Sequence, residues 1–252
     1  MKTFFDLTYY KNCKLDIYLP DNVLPTKTIV YVHGGGLVEG DKRDIHKERF
    51  GKTFTDNGYA FVSVDYNLYP NAKWPSYIVE VAHSIKFLQD NLDKYNLARD
   101  IYISGSSAGS YIIMMLCVDK SYLKDAGVDY SMIKGWISDD GQMTDHFNVQ
   151  EIELKMDPWV QRITKLAPLY YVDKDTIISR LLLLYYDNDL PMRKEQNLLF
   201  YETLKHFKPE SDVEIMELHG THCEGTCRPE EDGSYRFVQI ILDWVKKSWK
   251  FY

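Results

Sequence analysis

The sequence has few cysteines, glycines and prolines and no long apolar run, and each shortage closes off a class of protein. Four cysteines (Cys13, Cys117, Cys223, Cys227) in 252 residues are too few for a disulfide scaffold. Fourteen glycines and nine prolines exclude collagen-like and low-complexity chains. Basic charge is not in excess: 30 Lys and Arg against 37 Asp and Glu give a formal net charge of −7, which leaves no electrostatic footprint for nucleic acid. No apolar run approaches the ~20 residues needed to cross a bilayer. The opening Met-Lys-Thr-Phe-Phe-Asp lacks the apolar stretch of a signal peptide. The expectation is a soluble, cytoplasmic protein that engages neither nucleic acid nor membrane.

What is present is enough apolar sequence for one large core. Short apolar runs at 28–32, 60–64, 101–104, 133–137, 181–186 and 213–218 alternate with helix-length amphipathic stretches. Their near-continuous hydrophobicity suits a parallel sheet covered on both faces. Tyr77, Val81, Ile85, Leu88 and Leu92 mark one helical stripe, and Phe237, Ile241, Trp244 and Val245 another. Lys246 and Lys247 fall in the last turn of the second, where positive charge suits the helix dipole. The alternation predicts an α/β doubly wound fold. Residues 4–10 and 13–18 read as two edge strands joined at Lys11-Asn12. The least regular stretch, about 141–175, predicts a lid or binding segment inserted into a single domain over 1–252. An exposed N-terminal edge strand would allow a homodimer as readily as a monomer.

Gly105-Ser106-Ser107-Ala108-Gly109 stands where the run at 101–104 hands over to a predicted helix at 108–118. A G-x-S-x-G turn between strand and helix is a nucleophile elbow, which lifts the Ser107 hydroxyl clear of the sheet. The bland alternative is a Ser/Gly-rich loop without chemistry. A second motif decides between them. His33-Gly34-Gly35-Gly36 follows directly on the run at 28–32, and three successive glycines let a backbone turn tightly and offer N–H groups to developing negative charge. The N–H groups of Gly35, Gly36 and Ala108 are therefore expected to form an oxyanion hole. A phosphate loop is excluded by pattern, since neither G-x-G-x-x-G nor a following Lys-Ser/Thr is present.

Together, Val30-Tyr31-Val32-His33-Gly34-Gly35-Gly36, Val64-Asp65-Tyr66-Asn67-Leu68-Tyr69-Pro70, Pro75 and Gly105-Ser106-Ser107-Ala108-Gly109 resemble the α/β-hydrolase esterases of the hormone-sensitive-lipase and carboxylesterase type. The resemblance covers roughly residues 15–244 and implies the α/β-hydrolase fold. Two positions depart from the family pattern: Asn67 stands where Arg is usual, and Glu80 where Asp is usual. With about thirty residues ahead of His33, the chain looks more like small acetylesterases and feruloyl-esterase-like hydrolases than like enzymes with a large N-terminal cap.

The fold orders its residues as Ser, then Asp or Glu, then His. The resemblance places the acid after the run at 181–186, where Tyr185-Tyr186-Asp187-Asn188-Asp189 and then Glu195-Gln196 fall into the family register. It points to Asp189, with Asp187 as the alternative and a solvated acidic turn for whichever is unused. The base belongs on the loop after the last strand, and the family pattern favours His222; His219 is expected to pack beneath the loop. His33, too early in the chain to be the base, is read as fixing the glycine loop. His46, His83, His146 and His206 are read as surface or core residues.

Other features are weighed and set aside. His219, His222, Cys223 and Cys227 cluster within nine residues, but a zinc site there would consume the expected base. A Cys223–Cys227 disulfide runs against a reducing cytoplasm. Asp139 and Asp140 are expected near the site's edge, either touching substrate or in a solvated turn. Phe147, Trp159, Tyr170 and Tyr171 form either an aromatic platform or ordinary core. The resulting expectation is a serine esterase, without metal or cofactor, acting on small-molecule short-chain esters, acetyl above all, such as an acylated sugar or aromatic ester. The competing readings are an amidase or formamidase on the same residues, a peptidase, and a non-catalytic binding protein of the same fold.

Overall fold

The computed structural model describes residues 1–43 and 45–247; the domain expected over 1–252 extends beyond them at position 44 and at 248–252. In chain order the strands and helices are β1 (Lys2–Tyr10), β2 (Cys13–Leu19), β3 (Thr28–Val32), α1 (Ile45–Asp56), β4 (Ala60–Val64), α2 (Ser76–Asp90), α3 (Leu92–Tyr95), β5 (Ile101–Ser106), α4 (Ala108–Val118), α5 (Ser121–Asp125), β6 (Ile133–Asp139), β7 (Arg180–Asn188), α6 (Arg193–Phe207), β8 (Val213–Thr221), α7 (Glu224–Cys227) and α8 (Arg236–Lys246). The eight strands form one sheet in the order β1-β2-β4-β3-β5-β6-β7-β8. The pairs β1–β2 and β2–β4 are antiparallel and all others parallel.

Strand alternation divides the core into two layers. Val30 and Val32 of β3, with Val62 and Val64 of β4, belong to the layer that holds the apolar residues of α2, α4 and α6. Ile29, Tyr31 and Phe61 face the other way, onto Phe50 and Phe54 of α1 and Phe237 and Ile241 of α8. Because both faces are covered, β3 and β4 carry five fully apolar or small buried residues apiece rather than an alternating pattern. Leu181, Leu182, Leu183 and Leu184 of β7 are all at 0% exposure, and each stabilises the fold by roughly 1.5–3 kcal/mol. Helix α4 is apolar all round and wholly buried, as such a sequence requires.

Three expectations change. The strand β2 is interior, hydrogen-bonded on both sides, so β1 alone forms that edge. The helical stripe ends at Leu88, because the chain leaves the helix at Asn91 and Leu92 opens the separate turn α3. Strands β5 to β8 each run two or three residues beyond their apolar cores, into polar residues that the hydrophobic pattern could not register. The segment before β7 is also more embedded than a surface flap would be. Gln142, Met143, Thr144, Asp145 and His146 are at most 3% exposed, and only beyond Glu151 does the chain reach solvent over a longer stretch. The carboxyl ends of β3, β5, β6, β7 and β8 all open on one edge of the sheet, where ligands of open α/β sheets bind.

Candidate active site

Ser107 sits between β5 and α4 with φ 52° and ψ −115°, a conformation that non-glycine residues rarely adopt. Surrounding packing enforces it. The Ser107 N–H donates to Asp139 O at 2.8 Å, and Tyr111 N–H donates to Ser107 O at 2.9 Å. Gly109 lets α4 press against β3: a Cβ there would lie 2.1 Å from Val32 O. The helix therefore points its N-terminus into the site, and the Ala108 N–H, in its first turn, has no acceptor within the helix.

The glycine loop is held from below. The His33 Nδ1–H donates to Gly34 O at 2.7 Å, the ring stacks on Tyr66 with centroids 4.5 Å apart, and Tyr66 OH donates to His33 O at 2.9 Å. Burial pushes the His33 pKa down, so the ring stays neutral. Asp65 accepts from Lys42 N–H at 2.6 Å and pairs with Lys42 Nζ at 3.1 Å, closing the far side of the loop. Gly35, at φ 102°, could not carry a side chain, because a Cβ would fall 2.0 Å from Glu39 O. Its carbonyl accepts from Val38 and Glu39 N–H, while among the described residues neither Gly35 nor Gly36 N–H is bonded to a backbone carbonyl. The unusual Asn67 and Glu80 meet each other: Asn67 Nδ2 and N–H donate to Glu80 Oε1 and Oε2, both at 2.8 Å.

Ser107, His222 and Asp189 come together. The Ser107 Oγ lies 2.9 Å from His222 Nε2, and His222 Nδ1–H donates to Asp189 Oδ1 at 2.6 Å. Burial alone would push the His222 pKa down; hydrogen bonds to the Asp140 and Asp189 carboxyls outweigh it and raise it to about 9. For Asp189, burial pushes upward, but hydrogen bonds with His222 and Asp140 win and hold it below the ordinary carboxylate value.

Several expected positions differ. The His219 side chain is 94% exposed rather than packed beneath the loop, and its Nδ1 bonds Asp187 Oδ2 at 2.8 Å. The zinc set considered from the sequence therefore does not assemble. Asp140, His222 and Cys223 do converge within 4.8 Å, but both imidazole nitrogens are engaged by Asp189 and Ser107. Cys223 and Cys227 carry thiols and no disulfide joins them. Asp139 and Asp140 form no solvated turn: both are at 0% exposure. Asp139 accepts from Ser106 Oγ at 2.9 Å and Thr226 Oγ1 at 3.2 Å, and burial raises its pKa to about 6. Asp140 accepts from Cys223 N–H at 2.6 Å. No pattern in the sequence separated these two acids from a turn; only their place at the end of β6 was informative.

A cavity of about 700 Å³ opens over Ser107, bordered by Gly35, Gly36, His46, Phe147 and Leu190. Phe147 belongs to it, with Trp159 lying nearly parallel beyond, at 6.4 Å between centroids. Tyr170 and Tyr171 pack on each other, away from the cavity lining. Asn148 Nδ2 donates to Gly36 O at 2.5 Å, tying this segment to the glycine loop, a contact that sequence spacing gave no means to foresee.

The sheet order, the crossing helices and this edge define the α/β-hydrolase fold. More narrowly, the BD-FAE family model matches residues 15–204, and the chain belongs to that family. It is 30% identical over 89 residues, 35% of this chain and 22% of the other, to Esterase LipC of Mycobacterium tuberculosis. It is 29% identical over 110 residues, 42% of this chain and 33% of the other, to an acetyl esterase of Salmonella typhi. The matched stretches thus span a third or less of those relatives' length. Among solved structures, a truncated carbohydrate esterase from gut microbiota superposes with a TM-score of 0.76 at 18% identity, over 98% of this chain and 95% of that one. An esterase of Pyrobaculum calidifontis gives 0.72 at 19% identity, over 93% and 80%. At such identities the structures speak to the fold. Among the described residues no helix is long and apolar enough to cross a membrane.

Proposed function

We propose that this protein hydrolyses carboxylic esters through a covalent acyl-enzyme. In this reading Ser107 attacks the ester carbonyl while His222 takes its proton and then delivers it to the leaving alcohol. Asp189 fixes the imidazole tautomer and stabilises the imidazolium. The N–H groups of Gly35, Gly36 and Ala108 receive the oxyanion, each worth about 10²–10³ in rate where such donors have been removed singly. Water activated by His222 then releases the acid. The observation that carries the reading is the unbroken hydrogen-bonded run from Ser107 Oγ through His222 to Asp189, facing the glycine loop.

Short acyl groups, acetyl above all, are the proposed substrates. Phe147 and Asn148 stand directly over the glycine loop: a Cβ on Gly36 would meet Asn148 Nδ2 at 3.0 Å and Phe147 Cζ at 3.6 Å. Little room remains there for a long chain. The cavity lining includes Glu39, His46 and Lys47, polar groups compatible with the alcohol of an acylated sugar. The test is hydrolysis of p-nitrophenyl acetate by the wild type and Ser107→Ala at equal concentration. Turnover that falls by about 10³-fold or more in the variant supports the reading. Equal rates in both proteins overturn the nucleophile, and turnover of matched amides but not esters would move the activity to amide hydrolysis.

A further inference from the structure

Two carboxyl groups, not one, converge on His222. Asp189 Oδ1 lies 2.6 Å from Nδ1, and Asp140 Oδ2 lies 3.4 Å from the same nitrogen. Because both reach the same nitrogen, the two carboxyl groups stand close together. Asp140 Oδ2 is occupied as an acceptor, taking the Cys223 N–H at 2.6 Å. The remaining oxygens, Asp140 Oδ1 and Asp189 Oδ2, are both buried and have no donor among the described residues. Carboxylate oxygens buried without donors each cost a desolvation penalty, and two ionised carboxyl groups converging on one nitrogen would repel. One proton between them removes both problems.

We propose that Asp140 is a positioning residue for the reaction: held as a neutral acid, it donates through Oδ1–H to Asp189 Oδ2 and extends the run Ser107–His222–Asp189 by a fourth residue. The charges around it agree. Asp139 lies beside it on β6, Asp189 faces it from the end of β7, Arg193 from α6, and His222 and Cys223 from the loop after β8. The Arg193 guanidinium is the one fixed cation of this group, and its Nη1 donates to the Asp140 carbonyl at 2.7 Å rather than to its carboxyl. The Arg193 guanidinium and, when protonated, His222 together still leave one of the three buried carboxyl groups without a compensating cation, which favours a protonated acid here. Asp140 is fully buried, and burial raises its pKa to about 8, whereas Asp189 is held ionised. In the cycle the proton stays between the carboxyls; Asp140 exchanges nothing with substrate and acts by fixing the Asp189 charge and direction.

The kinetic readout rests on the ester-hydrolase reading, so a second readout independent of turnover is included. Asp140 has φ 54°, a conformation that Asn and Gly both accept, so Asp140→Asn and Asp140→Gly differ in the side chain rather than in backbone strain. The Asn carboxamide reproduces a neutral acid: its NH₂ can donate to Asp189 and its carbonyl can accept from Cys223. The expected result is a kcat for Asp140→Asn within about threefold of wild type. For Asp140→Gly, kcat falls about ten- to a hundredfold with KM little changed, the loss expected for one hydrogen bond to a charged group. In parallel, the proton NMR resonance of His222 Nδ1–H is retained in the Asn variant and displaced or lost in the Gly variant. An Asn variant as impaired as the Gly variant overturns the proposal and makes Asp140 an anion; a Gly variant equal to wild type in both readouts overturns it and makes the contact passive. If Asp140→Gly does not fold, the Asn variant decides alone, full activity supporting and a tenfold or larger loss overturning. A wild type that hydrolyses no ester yet gives the expected resonances would sink the functional reading and leave the Asp140 assignment standing.

Discussion

Asp187 and Asp189 are two residues apart, and each bonds a different histidine: Asp187 holds solvent-exposed His219 at 2.8 Å, and Asp189 holds half-buried His222 at 2.6 Å. A register shift separates the pairs. Tyr186 lies opposite Leu218, but Asn188 lies opposite Thr221, so β8 spends an extra residue and the chain turns between the acids. Asp187 also accepts the Gly220 N–H at 3.0 Å, which pins the loop carrying His222. Asp189→Asn is therefore expected to lower kcat by about 10⁴ by releasing the wrong tautomer. Asp187→Asn should cost less than about tenfold, since an exposed pair contributes little. Steady-state kinetics on both variants check this, and comparable losses would return the acid assignment to an open question.

The pH profile should carry a raised acid limb. The proposed base works as neutral imidazole, and its pKa of about 9 lies above the ordinary 6.5, so kcat/KM should still be rising with pH above neutrality. The sign follows from the ionised Asp189 carboxylate, which favours the imidazolium. Removing the Asp189 charge in Asp189→Asn should move the limb to lower pH even as the rate drops. A wild-type limb at or below 6.5 would mean that burial of the ring outweighs its acidic neighbours.

Gly109→Ala should destabilise the protein although Ala is the better helix former by about 1 kcal/mol. The added methyl would stand 2.1 Å from Val32 O and 2.5 Å from His33 O, both backbone atoms that cannot swing aside. Overpacking of this kind costs about 1–3 kcal/mol, which lowers Tm by roughly 5 °C in a chain of this size. Thermal unfolding of the variant, with its rate on p-nitrophenyl acetate, reads both consequences. A Tm equal to wild type would show that α4 and β3 can separate.

Acyl length should matter steeply. With Phe147 and Asn148 beside Gly36 of the glycine loop, p-nitrophenyl acetate is expected to exceed butyrate and octanoate in kcat/KM, the longer chains crowding these two side chains. Phe147→Ala should narrow the ratio by admitting the longer chains. Octanoate turning over faster than acetate in the wild type would exclude the short-chain reading.

The sequence alone determined the elements and their class, because those depend on local patterning. Strands buried on both faces must be apolar throughout, as 28–32, 60–64 and 181–186 are, and an elbow needs small residues at Gly105, Ala108 and Gly109. Chain order and the family register then singled out Ser107, Asp189 and His222, which the fold brings within hydrogen-bond reach. Which polar residues lie deep was decided by the tertiary structure. Asp139 and Asp140 look in sequence like a turn and are fully buried, whereas His219 follows directly on an apolar run, lies within β8 and is exposed. The physical reason is that a charged side chain's environment is set by partners distant in the chain. Asp140 is shaped by Cys223, Asp189 and His222, 49 to 83 residues away, which meet it because parallel strands bring their carboxyl ends to one edge.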